Sequence, residues 1–191
     1  MKSTKYDCNR PLKNVLYELF FLRLVLMILL YYLPINNWIK IILILLLDHF
    51  KRYYILFRCE KFMKLTHVKL YHTLDKVLDL FGYILVYSLV KKNNLLSSTY
   101  TKYLLYILLF RIVGDFLYYL TQKREFLFYF PDLFKEALLL FALVKNKELL
   151  KVLFIGMIIL KLYIEYVLHI KQKVPSPSFI DLGCHKDCDH K

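Results

Sequence analysis

The run Leu24-Val-Leu-Met-Ile-Leu-Leu-Tyr-Tyr-Leu33 contains no charged residue, and it decides the fold class of this 191-residue chain. Further runs of the same kind follow it along the sequence. Lys and Arg crowd the segments between these runs, a segregation that is typical of membrane-spanning helices and their connecting loops. The further runs are 39–47, 80–90, 103–110 and 152–160.

The composition of the whole chain agrees with this pattern. Hydrophobic residues make up 59% of the chain and aromatic residues 17%, yet 28 basic and 15 acidic residues remain. Such a chain is too apolar to be disordered and too charged to be a single anchor. A soluble helical bundle is the alternative, but it would need polar faces that the apolar runs lack. The sequence therefore predicts an all-α, polytopic helical bundle that is an integral, multi-pass membrane protein.

Extension of each run into its neighbours predicts about six transmembrane helices. A helix of roughly 20 residues crosses about 30 Å of hydrocarbon, and most of the extended runs approach that length. Tyr, Trp and Lys stand at their edges, where the membrane interface favours them. The predicted spans are near 14–33, 36–50, 77–92, 103–121, 126–144 and 150–170.

The loop charges predict that both termini are cytosolic (N-in/C-in). Basic residues concentrate on the cytosolic side of membrane proteins, and 18 of the 28 Lys and Arg fall in alternate segments, against seven in the intervening turns. The net charge of +13 then lies mostly at the cytosolic face, where it suits anionic lipid headgroups. No nucleic-acid partner is expected, because no nucleic-acid module is recognisable. The predicted cytosolic segments are 1–13, 49–76, 122–135 and 171–191.

The C-terminal residues have a different character from the rest. The run Lys171-Gln-Lys-Val-Pro-Ser-Pro-Ser cannot continue the last helix. We therefore expect residues 1–170 to form the six-helix transmembrane domain and residues 171–191 to form a flexible cytosolic tail. Cys184 and Cys188, with the two histidines beside them, could bind zinc, and a solvated tail without metal is the alternative.

Three acidic residues stand at the ends of two apolar runs. Asp48 closes the run 41–47, and Asp75 and Asp79 open the next one. On a helix, Asp75 and Asp79 share one face, where like charges repel unless a divalent cation bridges them. The alternative is that Lys76 or Lys69 offsets the charge of Asp79, and that Asp48 is a helix-end carboxylate in contact with Lys51 or Arg52.

These residues resemble the signature of the CDP-alcohol phosphatidyltransferases, which are six-helix membrane enzymes. The family pattern is Asp-x2-Asp-Gly-x2-Ala-Arg, a short spacer, and then Gly-x3-Asp-x3-Asp. Asp48 stands at the first aspartate, and Asp75-Lys-Val-Leu-Asp79 matches the closing pair. Lys51 occupies the second aspartate position, where it either supplies a fixed ammonium or disables the metal site.

The resemblance implies transfer of a phosphatidyl or phosphoalcohol group from a CDP-linked donor to a hydroxyl, with release of CMP, in phospholipid biosynthesis. Asp48 and Asp75 would hold Mg²⁺ or Mn²⁺, and Asp79 would act as the catalytic general base. Membrane lipid and a CDP-linked substrate are the implied partners, and a homodimer is a possible assembly. The candidate substrate-binding residues are Asn14, Lys51, Arg58 and Arg111.

Charged residues within the predicted spans are expected to pair. Arg111 with Asp115, and Lys161 with Glu165, are each one helical turn apart, and Arg23 either snorkels or faces the bundle interior. Two other functions remain open. One is a non-catalytic multispanning protein, which is a degenerate relative or a structural component. The other is a small transporter, which is less favoured because paired broken helices are not evident.

Overall fold

A computed structural model describes residues 12–58, 65–121, 123, 125–167 and 170. These residues form helices and short connections, with no β-strand among them, which confirms the all-α prediction. The side chains of residues 48–58 and 65–72, and of a few residues at the start of the first helix, lie outside the described part.

The described residues form seven helices. Five of them contain 20 to 28 residues, which corresponds to about 30–42 Å at 1.5 Å per residue. Each of the five is therefore at least as long as the roughly 30 Å of hydrocarbon in a bilayer. In chain order the helices are α1 (Leu12–Tyr32), α2 (Asn37–Arg58), α3 (Leu65–Lys92), α4 (Ser98–Thr121), α5 (Glu125–Tyr129), α6 (Phe134–Leu143) and α7 (Lys147–Tyr166).

The fifth predicted span is not one helix. The segment 126–144 divides into α5 and α6, separated by residues 130–133. Pro131 lies between them, and proline has no backbone N–H and cannot occupy a helix interior without breaking it. The prediction of a single fifth helix was therefore wrong, and the other five spans each correspond to one long helix.

One described helix, α4, is long and apolar enough to cross a membrane by length and composition alone. It contains 24 residues, and a shorter apolar helical stretch covers Asn37–Leu47. The all-α class is thus established, while the number of membrane crossings stays a prediction.

Polar side chains define the turn between α1 and α2. The backbone N–H of Trp38 donates to Asn36 Oδ1 at 2.8 Å, as expected of a residue that caps a helix N-terminus. Lys40 Nζ donates to the Tyr31 carbonyl at 3.2 Å, so this lysine satisfies a backbone acceptor at the end of α1. The two helices pack as a hairpin.

The described residues fall into two compact units, with the boundary inside α3 after Asp79. In the first unit the buried side chains of α1 and α2 include Met27, Ile41 and Ile44. In the second unit α4, α6 and α7 pack around Phe141. The ring of Phe141 stacks on Tyr100 of α4, with ring centroids 5.1 Å apart.

Candidate functional site

The first candidate site is an ionic cluster in the first unit, formed by Arg23 of α1 with Asp75 and Asp79 of α3 and called here the Arg23 cluster. Arg23 Nη1 bonds Asp75 Oδ1 at 3.1 Å, and Nη2 bonds Asp79 Oδ1 at 3.3 Å. Only 1% of Arg23 is exposed, and both aspartates are buried. A single guanidinium therefore bonds two carboxylates in an apolar surrounding.

The helix geometry explains this convergence. Asp75 and Asp79 are one turn apart, so both carboxylates project from one face of α3. The planar guanidinium presents its terminal nitrogens as a fixed fork, which lets each nitrogen bond a different carboxylate. One positive charge faces two negative charges, and the three side chains together keep a formal charge of −1 when all are ionised.

The predicted metal and substrate residues have different outcomes. The structure brings Asp75 and Asp79 together, as the spacing predicted, and both bond Arg23. Asn14 is exposed on α1. The side chains of Asp48, Lys51 and Arg58 lie outside the described residues, although their backbone belongs to α2. Cys184 and Cys188 also lie outside the described residues.

The Arg23 cluster does not fit a divalent cation as it stands. Mg²⁺ and Mn²⁺ bind carboxylate oxygens, and each aspartate already bonds the guanidinium through one oxygen. A metal would also place a second positive charge beside Arg23. Within the described residues, no group of three or more His, Cys, Asp or Glu side chains is arranged to hold a metal ion.

The second candidate site surrounds Arg111 in the second unit. Arg111 Nη2 lies 3.0 Å from Asp115 Oδ1, which confirms the predicted pair on α4. Arg111 Nη1 donates to the Phe130 carbonyl at 2.7 Å, and only 2% of the arginine is exposed. The charges of Asp132 and Glu165 also act on this guanidinium. We call this group the Arg111 cluster.

The Arg111 cluster holds the break between α5 and α6. A helix break frees backbone carbonyls, which are costly to bury unless a donor reaches them. Arg111 supplies that donor to Phe130 on the N-terminal side of Pro131. On the C-terminal side, the Tyr83 hydroxyl of α3 donates to Asp132 Oδ2 at 2.5 Å. Side chains from two helices thus fix both ends of the break.

Gly114 makes room for this break. A Cβ atom at Gly114 would lie 2.2 Å from Phe130 Cβ, much closer than non-bonded carbon atoms approach. The Phe130 ring also packs on Phe110, with centroids 4.7 Å apart. The connection between α5 and α6 therefore packs against one surface of α4, which is formed by Arg111, Gly114 and Asp115.

The predicted pairing of Lys161 with Glu165 was wrong. Lys161 Nζ bonds Glu136 Oε1 of α6 at 2.8 Å, so the lysine joins α7 to α6. Because α6 packs against α7, a carboxylate from the neighbouring helix competes with the one on the same helix. Glu165 is instead buried near Arg111.

Sequence reasoning missed the break and its partners. The signal was the dipeptide Pro131-Asp132 inside an apolar run, since proline followed by a small polar residue indicates a turn. Transporters with broken helices have them in both halves of the fold. In the described part of the chain, one predicted span is interrupted, namely the fifth, which divides into α5 and α6.

Comparisons with protein-family models, with curated proteins and with solved structures gave no match. The resemblance to the CDP-alcohol phosphatidyltransferases therefore stays a prediction from the motif.

Proposed function

We propose that the protein is a multi-pass integral membrane protein, because its polarity is inverted relative to a soluble protein. Large apolar side chains are exposed along α1 and α7, including Phe21, Val25, Val152 and Ile159. Arginine, which soluble proteins place at their surface, is buried at positions 23 and 111. Exposed apolar faces of this extent are favourable against lipid and costly against water.

The ionic clusters remove the main objection to membrane insertion. A charge near the middle of a bilayer is costly, so an isolated helix that carries several charges inserts poorly. Within the bundle, the charge of Arg23 is opposed by the aspartates of α3, and that of Arg111 by Asp115. Helices that carry too many charges to insert favourably as single segments can therefore insert together.

For function, the geometry favours a non-catalytic, structural role in the membrane. The observation that carries this proposal is the double pairing of Arg23. A metal-dependent phosphotransferase needs its carboxylates available to the metal and its general base available to the substrate hydroxyl. In this chain the guanidinium bonds Asp75 and Asp79 together, and the protein is then a degenerate relative of the transferases or an unrelated structural component.

A divergent CDP-alcohol phosphatidyltransferase is the second candidate. It is favoured by the convergence of Asp75 and Asp79, the two residues that match the closing motif. Catalysis would require Arg23 to release both carboxylates and Asp48 to join them around Mg²⁺ or Mn²⁺. In that case the candidates for substrate binding stay Asn14, Lys51, Arg58 and Arg111.

An activity assay separates the two candidates. Purified protein in lipid nanodiscs is incubated with labelled CDP-diacylglycerol, Mn²⁺ and a panel of alcohols, and CMP release is measured. The proposal predicts no release above that of the Asp75→Asn/Asp79→Asn double variant. Mn²⁺-dependent release by the wild-type protein that is lost in Asp79→Asn would support the transferase and contradict a structural role.

A further inference from the structure

We infer that one end of the second unit is a binding surface for anionic lipid headgroups. The surface is formed by six exposed lysines and is called here the lysine end. The inference rests on the proposed membrane location, and it names the class of lipid that this part of the protein contacts. The six residues are Lys91, Lys92, Lys102, Lys145, Lys147 and Lys151.

Packing within the second unit brings these lysines to one end. Leu96, from the turn between α3 and α4, and Tyr100, from the start of α4, pack against the cluster of Phe141 and Leu150. Val144, from the turn between α6 and α7, packs against the same cluster. The two turns therefore lie at the same end of the unit. Lysines that are distant in sequence thus surround the same four helix ends.

The lysine end has a large excess of positive charge. Glu148 is the one acidic residue in segments 86–107 and 138–155. Its Oε1 accepts a hydrogen bond from Lys151 Nζ at 2.8 Å. Six positive charges and one negative charge leave a formal charge of +5. Within the described part of the chain, the other five lysines form no ion pair, so their ammonium groups are available to an anionic partner.

The turns that carry these lysines are held by their own hydrogen bonds. Asn146 Oδ1 accepts from the backbone N–H groups of Glu148 and Leu149 at 2.9 and 3.2 Å, which caps the N-terminus of α7. The N–H of Leu95 donates to the Val90 carbonyl at 3.1 Å, which closes the turn after α3. The lysine side chains therefore start from fixed backbone positions.

Exposed apolar side chains beside the lysines favour lipid over an acidic protein. Leu143, Leu149 and Val152 are 76%, 50% and 67% exposed, and they flank the lysines around the turn between α6 and α7. In a membrane, such apolar side chains contact acyl chains while lysine extends its ammonium group to the headgroups. An acidic partner in water would match the lysines but leave a costly apolar surface between them.

The loop charges assign the lysine end to the face opposite the cytosolic segments. Six of the seven lysines assigned to that face belong to the lysine end, so its positive charge is concentrated in one place. The attraction between a surface lysine and anionic headgroups falls off within roughly 10 Å at 0.1 M salt, so grouped lysines act on the same lipids. Anionic lipid of that leaflet should therefore gather around the second unit.

The test measures lipid contact at each end of α4 in nanodiscs. A bimane fluorophore is attached to Thr99→Cys, at the lysine end, or to Glu125→Cys, at the other end, in a cysteine-free background, and both positions are exposed. Phosphatidylglycerol or phosphatidylcholine with a doxyl group near the headgroup quenches the fluorophore on contact. At Thr99→Cys we expect phosphatidylglycerol to quench about threefold more than phosphatidylcholine, and the ratio should fall at high salt.

The matched variant is Lys91→Gln/Lys92→Gln/Lys145→Gln/Lys147→Gln, and its control carries Arg at the same four positions. The Gln variant should lose the preference at Thr99→Cys and keep the wild-type ratio at Glu125→Cys, whereas the Arg variant should keep both ratios. A preference that survives in the Gln variant overturns the inference. Equal quenching by the two lipids at Thr99→Cys in the wild-type protein also overturns it and leaves an acidic protein as the partner of the lysines. Absence of quenching by either lipid at both ends would contradict the proposed membrane location itself, which keeps the two failures apart.

Discussion

At the residue scale, one guanidinium in the Arg23 cluster pairs with two carboxylates, so loss of the arginine and loss of one aspartate should change stability by different amounts. Arg23→Gln should lower the free energy of unfolding by about 3–5 kcal/mol, because two buried carboxylates lose the guanidinium that they share. Asp75→Asn or Asp79→Asn alone should change it by less than about 1 kcal/mol, because one carboxylate still pairs with Arg23. Unfolding in mixed micelles measures these differences.

The double variant provides the internal control for that series. Asp75→Asn/Asp79→Asn leaves Arg23 buried without either carboxylate, and it should again cost about 3–5 kcal/mol. If each single Asn variant were as unstable as Arg23→Gln, the two aspartates would not share one guanidinium and the description of the cluster would be incorrect.

Two glycines with opposite surroundings provide a second residue-scale prediction. Gly114→Ala should lower the free energy of unfolding by about 1–3 kcal/mol, because the new methyl group overlaps Phe130. Gly156→Ala on α7 is the matched control, since no atom lies within 4 Å of a Cβ there. Because alanine favours helix by about 1 kcal/mol over glycine, Gly156→Ala should be neutral or stabilising. Equal losses at both positions would contradict the close approach of Phe130 to α4.

Sequence separation explains which ion pairs could be predicted. Arg111 and Asp115 are one turn apart on α4, so the helix period alone predicts their pairing, and the structure confirms it. Arg23 and Asp75 are 52 residues apart. Their contact depends on how α1 meets α3, which no local pattern specifies, and the sequence therefore left the partner of the aspartates open.

At the scale of the elements, apolar runs predicted the long helices but not the interruption of the fifth. The run around 126–144 is apolar on both sides of Pro131, so hydropathy merges α5 and α6. The break is stable because Arg111 bonds the Phe130 carbonyl and Tyr83 bonds Asp132. These partners come from other helices, and the sequence gives no direct sign of their arrangement.

The contact between α6 and α7 leads to an element-scale prediction. Lys161 and Glu136 are 21% and 37% exposed, so their attraction is only partly screened. In a double-mutant cycle with Glu136→Lys and Lys161→Glu, each single reversal should destabilise the protein. The double reversal should recover about 1 kcal/mol as coupling energy.

The pair Glu148 and Lys151 serves as the control for this cycle. Both side chains are strongly exposed, at 81% and 68%, and they lie on the same helix. The corresponding cycle should give a coupling energy near zero, because solvent screens the attraction. Equal coupling in the two cycles would argue against a contact between α6 and α7 through Lys161.

At the scale of the whole molecule, the described residues have an inverted distribution of polarity. Large apolar side chains are exposed along the long helices, and the buried Arg23 and Arg111 each pair with carboxylates inside their own unit. Composition predicted the segregation of charges from apolar runs, and the membrane topology that the loop charges indicate stays a prediction. Composition and loop charge could not show which charges pair, because pairing between helices depends on packing.

The most direct test of membrane insertion uses the two ends of α4, which the loop charges assign to opposite faces of the membrane. Single cysteines are introduced as Thr99→Cys and Glu125→Cys in a cysteine-free background, and both positions are exposed. Sealed vesicles of known orientation are then treated with a membrane-impermeant maleimide. We expect Glu125→Cys to react only from the cytosolic face and Thr99→Cys only from the opposite face. Reaction of both cysteines from the same face would contradict the membrane-spanning account.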